Sequence, residues 1–460
     1  MEPARTTPNP ALRPCKVIIA GAGVAGLTLA LALEKNGIDY LLLEGYPEIV
    51  AKAGAGICLL PNGLRILDQL GCYEDLRDQV KGVLDTVSIR DPSGEVLHFS
   101  DGWGQRMVER WGYSGFWCDR KMLLQTVHDH IADKSKLLAQ KRIATVRHGD
   151  DGVEVVTTDG STYQGDILVG ADGTHSRVRE EMVRHANERG VGQEYADDDE
   201  VFSTYACLFG LSSAVPGLSP GLIGWNLGKR YSYVVGTGPD DRAYWFLAKN
   251  MGKTYHGAQI PRFSEEDKER IVQEHWNDRI TSDLRMSDLY KAKQHLICTP
   301  LTEIVYQKWH FGRMIVLGDA AHKMLPIIAQ GGNQALETVA AMTNSLLAVL
   351  SQHAAGRMST DEIQGMFEEV QQLRAERVSK IVDMGRQRQR MDTMETPELE
   401  QLMLNKFPLL MPNILTQRWD QTFPPAVSLR SPAVPARPKQ VPFEDEGQES
   451  SVGAAVSVKL

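Results

Sequence analysis

The 460-residue sequence predicts an α/β protein: a Rossmann-like nucleotide-binding unit, an antiparallel sheet inserted between its parts, and helices towards the C-terminus. Three observations carry this expectation. The apolar run Lys16-Val17-Ile18-Ile19-Ala20 ends in a glycine turn, Gly21-Ala22-Gly23-Val24-Ala25-Gly26, and opens a helix. From about Val201 to Ile297 the chain is richer in aromatic and β-forming residues. The strand Met314-Ile315-Val316-Leu317 then restores the first pattern, and helical stretches follow from about Gly332 to Ser351 and from about Thr360 to Arg390.

Each element has a local reason. Leu27, Leu29, Ala30, Leu31 and Leu33 form the buried side of the first helix, and Lys35-Asn36-Gly37 supplies a basic last turn and a glycine stop. Tyr40-Leu41-Leu42-Leu43 is the second strand, with Glu44 at its end. Val83 to Leu97 reads as a hairpin turning at Asp91-Pro92-Ser93-Gly94, and Lys121 to Ile131 as a helix. Val153 to Thr158 and Thr162-Tyr163 form a second hairpin around Asp159-Gly160, and Asp166 to Val169 is a buried strand. Tyr231 to Gly236 and Arg242 to Lys249 read as antiparallel strands. A helix starts at Ser264, with Asp267 as capping partner and an apolar side of Ile271, Val272, Trp276 and Ile280. The expected division is 14–82, 115–195 and 300–352 for the nucleotide-binding unit, 83–114 and 196–299 for the inserted domain, and 353–424 for a helical region. The Pro-, Ser- and Glu-rich stretch 425–460 is expected to be disordered.

Composition removes several function classes. Net charge is −9 and basic residues are scattered, so no nucleic-acid surface is expected. The run Asp197-Asp198-Asp199-Glu200 reads as a solvated loop. No apolar run reaches the ~18 residues of a membrane span; the best late stretch, Phe407 to Leu415, is interrupted by Pro408, Pro412 and Asn413. The stretch before Cys15 has no apolar signal core, and a cytoplasmic location is expected. The six cysteines form no CxxC pair, which fits a reducing compartment, and His128 and His130 do not make a metal site. Val458-Lys459-Leu460 is one residue from a peroxisomal address, a coincidence of sequence.

Three motifs carry chemistry. In the first, Gly21 permits the tight bend, Gly23 lets backbone approach a pyrophosphate, and Gly26 lets helix and strand pack closely. The helix start offers free N–H groups to that anion, and Glu44 is placed to accept from the hydroxyls of an adenosine ribose. This motif alone leaves FAD and NAD open. The second is Gly170-Ala171-Asp172-Gly173, and the third Gly318-Asp319-Ala320-Ala321-His322 with Pro326 after it. Asp319 ends a strand where a carboxylate can meet a ribityl chain, which NAD lacks, so the set points to FAD. Gln330-Gly331-Gly332-Asn333 opens a helix whose N-terminus can stabilise negative charge at the edge of a reduced flavin. Arg120 can reach FAD phosphates or ribityl hydroxyls. His322 has no nucleophile beside it and is read as structural.

Together these residues resemble the single-component FAD-dependent aromatic hydroxylases, the group A flavoprotein monooxygenases. Gly54 to Gly63 and Gly318 to Pro326 look, more narrowly, like the fungal epoxidases of paxilline and meroterpenoid biosynthesis, over about Lys16 to Leu350. The resemblance implies a FAD-binding domain of glutathione-reductase/hydroxybenzoate-hydroxylase type. It puts Glu44, Cys58, Arg120, Asp319 and Gly332 at FAD-contact positions and Asp172 in a motif tied to FAD and NAD(P)H. Departures are Cys58 for Gly, Ala329-Gln330-Gly331-Gly332-Asn333 for Gly-Gln-Gly-Ala-Asn, and Glu337-Thr338 for Glu-Asp. The catalytic Tyr of such epoxidases falls near Asn226 or Leu227, leaving Tyr231 and Tyr233 as the candidate catalytic pair.

The implied reaction uses NAD(P)H and O2, through a flavin C4a-hydroperoxide, to epoxidise or hydroxylate a small apolar, prenylated or terpenoid secondary-metabolite intermediate. A separate cyclase usually acts on the product in the pathways this chain resembles. Phe209, Leu222, Trp225, Tyr231, Tyr233, Trp245 and Phe246 suit an apolar substrate and an ordinary sheet core equally well. The rival readings are another oxidation on the same scaffold, a flavin-binding protein acting without oxygen transfer, and a plain NAD-dependent dehydrogenase.

Overall fold

A computed structural model describes residues 15–50, 55–195, 201–352 and 358–447. The acidic run 197–200, Gly54, the first fourteen residues and 448–460 lie outside the described residues, and so do the expectations placed on them.

The first sheet has six strands in the order His310–Phe311, Met314–Val316, Ile167–Gly170, Val17–Ala20, Tyr40–Leu43, Leu137–Leu138. All its neighbours pair in parallel except the edge strand His310–Phe311. Val17–Ala20 and Ile167–Gly170 are apolar throughout because helices and loops cover both faces of a parallel sheet. The helix Val24–Lys35 follows the first strand and packs against the helix Gly331–Gln352. This brings the two glycine-bearing helix starts, more than 300 positions apart in the chain, into one region.

The second large sheet has eight strands, ordered His322–Lys323, Lys293–Val305, Phe202–Ala214, Arg242–His256, Tyr231–Thr237, Leu222–Leu227, Thr86–Arg90, Val96–Ser100. The early hairpin thus joins the later strands, with Thr86–Arg90 parallel to Leu222–Leu227. Both faces of its central strands are buried. One packs on the helices Glu265–Glu274 and Met286–Lys291 through Tyr233, Trp245, Ile271 and Val272. The other meets the nucleotide-binding part and the C-terminal helices through Trp225, Phe246, Leu325 and Ile327. The Ser264–Asp267 capping box forms, but the helix stops at Glu274, so Trp276 and Ile280 lie beyond it.

The C-terminal helices are Thr360–Asp392, Pro397–Gln401 and Phe407–Thr422, the last two linked by a π-turn at Leu402–Lys406. No helix among the described residues is long and apolar enough to cross a membrane.

Residues 425–447 correct the expectation of disorder. Ala426, Leu429 and Phe443 are buried. Gln69 Nε2 donates to the carbonyls of Leu429 and Pro432, each at 2.6 Å. The buried Arg65 guanidinium pairs with Asp445 and lies 4.1 Å from the Phe443 ring centroid. Arg437 holds Asp68 at 2.7 Å and covers the rings of Tyr73 and Tyr113. The strap docks by backbone carbonyls, ion pairs and isolated apolar anchors, which leave no periodic trace in the sequence.

Candidate functional site

The glycine turn divides its work among its glycines. Gly21 has φ +95°, and a Cβ there would lie 2.6 Å from the Ala171 carbonyl. A Cβ at Gly26 would sit 1.9 Å from the Gly21 carbonyl oxygen. Gly23 is different: it is the N-cap of the helix Val24–Lys35, makes no side-chain cap, and faces open space bounded by Arg120 Nη2, 3.5 Å from a built Cβ. The first N–H groups of a twelve-residue helix are therefore aimed into a cleft beside a guanidinium.

Arg120 makes no side-chain hydrogen bond among the described residues. Burial lowers its pKa, while the charges of Asp319 and Glu44 pull the other way. Its neighbour in the chain, Asp119, points oppositely and accepts from Tyr244 Oη at 2.8 Å and from Arg242. Glu44 accepts from the Ala22 N–H at 2.6 Å and from the Tyr46 N–H at 2.8 Å, so its carboxylate closes the turn. The unpartnered guanidinium and the uncapped helix fit a pyrophosphate, a group that FAD carries.

The other predicted residues divide into those that face this cleft and those that build it. Asp319 is half exposed and lies 3.4 Å from Lys323 Nζ, which also binds Thr174. Asp172 spends both carboxylate oxygens locally, accepting from Ser176 Oγ at 2.6 Å and the Val178 N–H at 3.1 Å; it secures the start of the helix Arg177–Glu188. Burial raises its pKa. Pro326 begins a short 3₁₀ turn that ends in Ala329, held in the left-handed region at φ +55°. Gly331 and Gly332 follow as the first residues of a 22-residue helix with no acid in its first turn. A Cβ at Gly332 would strike Ile57 Cδ1 at 2.6 Å, whereas Gly331 has nothing nearer than 4.0 Å. Asn333 is fully engaged: its Oδ1 accepts from the Leu60 N–H at 3.1 Å and its Nδ2 donates to the Cys58 and Ala329 carbonyls. Cys58 is buried, and burial pushes its thiol far up, so it acts as a small apolar side chain.

Tyr231 and Tyr233 are corrected as a catalytic pair. Side chains alternate along Tyr231–Thr237, and both rings fall on the sheet face covered by the helices Glu265–Glu274 and Met286–Lys291. Tyr233 is 1% exposed and donates to Asp278 Oδ2 at 2.9 Å; the same oxygen contacts His275 Nδ1 at 2.7 Å. Asn226 faces that side too, donating to the Ile280 carbonyl at 2.7 Å. The opposite face presents Trp225, Leu227, Val234, Tyr244 and Phe246 against Cys58, Leu325 and Ile327. Trp117 stacks on Tyr244 with centroids 5.8 Å apart and meets Phe246 at the same distance. Tyr233→Phe is expected to cost about 1 kcal/mol of stability by removing one hydrogen bond from Asp278, which keeps His275, while leaving substrate-dependent turnover within about twofold. Steady-state kinetics beside a urea melt checks this.

Behind the glycine-bearing helix start lies a buried polar network. Glu337 accepts from Asn62 Nδ2 at 2.7 Å, Gln334 Nε2 at 2.9 Å, Arg374 Nη1 at 2.6 Å and Arg377 Nε at 2.7 Å. His322 contacts Thr338 Oγ1 at 3.0 Å, stays fully buried, and is pushed down to about 4 by burial, so it is a neutral structural residue.

Comparison with known proteins identifies the family. The family described as "FAD binding domain" matches residues 14–360. The FAD-dependent monooxygenase olcE of Penicillium canescens is 37% identical over 383 residues, covering 83% of this chain and 82% of its own length. The FAD-dependent monooxygenase anuJ of Penicillium roqueforti is 37% identical over 367 residues, 76% of this chain; the match spans only 44% of that longer protein. Among solved structures, Klebsiella pneumoniae HpxO complexed with FAD and uric acid superposes with TM-score 0.72 at 24% identity, covering 89% of this chain and 96% of that one. The chain belongs to the FAD-binding-domain family and is one of its FAD-dependent monooxygenases.

Proposed function

We propose that this monooxygenase takes electrons from NAD(P)H and places one atom of O2 on an apolar, prenylated or terpenoid secondary-metabolite intermediate, by epoxidation or hydroxylation. The observation that carries the reading is the aromatic sheet face, Trp225, Tyr244 and Phe246, turned towards Leu325, Ile327 and Cys58 beside the helix start at Gly331. When bound, FAD supplies the electron transfer and the activation of oxygen. The chain's own residues do the rest. Gly23, the uncapped N–H groups of the helix Val24–Lys35 and Arg120 would hold the pyrophosphate; Glu44 would hold the ribose and Asp319 the ribityl chain. The helix start at Gly331-Gly332 would offer N–H groups to the flavin edge. The apolar wall excludes water and orients the substrate by shape.

Incubation of the FAD-loaded enzyme with farnesylated phenols, NADPH or NADH and air is expected to give a product heavier by one oxygen atom, measured by mass spectrometry. No product should form without O2 or without reductant. Product formed anaerobically would overturn the proposal in favour of non-oxygenating chemistry.

A further inference from the structure

Beyond the residues placed around FAD, one charge cluster is buried against the same sheet face. Arg388, on the helix Thr360–Asp392, is 3% exposed, and its guanidinium lies 4.6 Å from the Trp225 ring centroid and 5.2 Å from that of Phe407. Its Nε donates to Asp392 Oδ1 at 2.7 Å, one helical turn on. Its Nη2 is buried with no acceptor, and the buried Asp392 Oδ2 has no donor. The charge of Arg418, from the helix Phe407–Thr422, reaches both Arg388 and Asp392, and burial lowers its pKa. Its guanidinium makes no hydrogen bond among the described residues.

Arg388 and Asp392 are buried and Arg418 is partly buried, so two guanidiniums share one carboxylate in an aromatic setting. Turning Arg418 onto the free Asp392 oxygen would satisfy that atom and leave Arg388 Nη2 without an acceptor. A structural ion pair does not need the second arginine, and a buried guanidinium nitrogen left without an acceptor is costly. The cluster is held in place: Gln389 Nε2 donates to Ser232 Oγ at 2.8 Å, and the Arg230 N–H donates to the Thr393 carbonyl at 2.7 Å. Its position is also right for a substrate. The Trp225 indole N–H meets the Ile327 carbonyl at 3.5 Å, so a single aromatic ring separates Arg388 from the turn that precedes Gly331.

We propose that Arg388 and Arg418 bind a carboxylate on the otherwise apolar substrate and so set which end of it lies towards the flavin. A carboxylate carries the single negative charge the cluster lacks and presents two oxygens to a planar donor fork. This rests on the assignment of the aromatic sheet face to an apolar substrate.

Two probes separate the ideas: 3-farnesyl-4-hydroxybenzoic acid and 2-farnesylphenol, which lacks the carboxylate. Binding to the FAD-loaded enzyme at pH 7.5 is read from the change in flavin absorption, without turnover. The acid should bind at least tenfold more tightly than the phenol. Arg388→Met and Arg418→Met, on different helices, should each weaken the acid tenfold or more and leave the phenol within twofold. FAD content and melting temperature establish that each variant is folded, and Arg388→Lys serves if Arg388→Met is not. Equal binding of acid and phenol by the parent, or equal loss of both in the variants, overturns the proposal alone. Failure of both probes to bind the flavin-loaded enzyme removes it together with the apolar-substrate reading.

Discussion

Gly23→Val should purify as a folded, colourless protein whose affinity for FAD has fallen more than 100-fold, roughly 3 kcal/mol or more. A Cβ at position 23 meets only Arg120 Nη2 at 3.5 Å and the Ala171 carbonyl at 3.9 Å, ordinary contact distances, so the backbone need not move. The two γ-methyls then occupy the space in front of the helix N–H groups and the free guanidinium. Hydrogen bonds to a charged group contribute about 1.5–3 kcal/mol each, and losing two accounts for the expected drop. Gly26→Val provides the contrast. Its Cβ would lie 1.9 Å from the Gly21 carbonyl oxygen, so that variant should not fold. Titration of apo-protein with FAD, beside a melt of each apo-protein, distinguishes the two failures. A yellow Gly23→Val protein with parental affinity would remove the pyrophosphate site from this turn.

That turn was legible because its requirements are local: a bend, an approach and a close packing, each a few residues apart. Other features depended on distant partners. Alternation along Tyr231–Thr237 could be read, but not which face lay inward, because both faces of the sheet are buried and apolar at this strand. The tyrosines lie nearest in sequence to the position of the family's catalytic Tyr, yet they pack in the opposite core, against His275 and Asp278. Asp172, in a motif tied to FAD and NAD(P)H, also accepts hydrogen bonds from Ser176 and Val178, four and six residues on. The strap 425–447 lacks periodicity because polar anchors such as Gln69 and Asp68 do its docking. Arg374, Arg377 and Arg388 look in sequence like the solvated face of a long helix, yet Arg374 and Arg388 are almost wholly buried. Their counter-charges come from a distant helix in one case and from the next turn in the other.

Glu337→Ala should be the most destabilising of the polar substitutions, by about 3–5 kcal/mol, because it leaves the guanidiniums of Arg374 and Arg377 buried together with no carboxylate between them. The milder Glu337→Gln tests the charge itself. Burial pushes this carboxyl up, but the charges of Arg377 and Arg374 and hydrogen bonds from Arg377 and Asn62 outweigh it and hold the group at about 2. An acid whose folded pKa lies below its unfolded value of roughly 4.3 stabilises the protein above that value and loses the contribution as pH falls towards 2. The full contribution is on the order of 3 kcal/mol. Glu303, raised to about 7 by burial against the pull of Arg386, has the opposite slope, losing stability as pH rises through 7. His322, pushed down to about 4, loses stability as pH falls from about 6.5 to 4. Both groups remain in Glu337→Gln, so the difference in unfolding free energy between parent and variant reports Glu337 together with its coupling to His322. By urea titration that difference should be flat from pH 7 to 5 and shrink between pH 5 and 3; a constant difference would mean that the carboxyl is not held charged. The same network reaches the proposed cofactor site. Asn62 donates to both Glu337 and Gln330, the residue before Gly331, so loosening it frees the helix start proposed to face the flavin. Because FAD binds only the folded chain, excess FAD should raise the melting temperature of Glu337→Gln. The rise should be smaller than in the parent, by the affinity lost at that helix start.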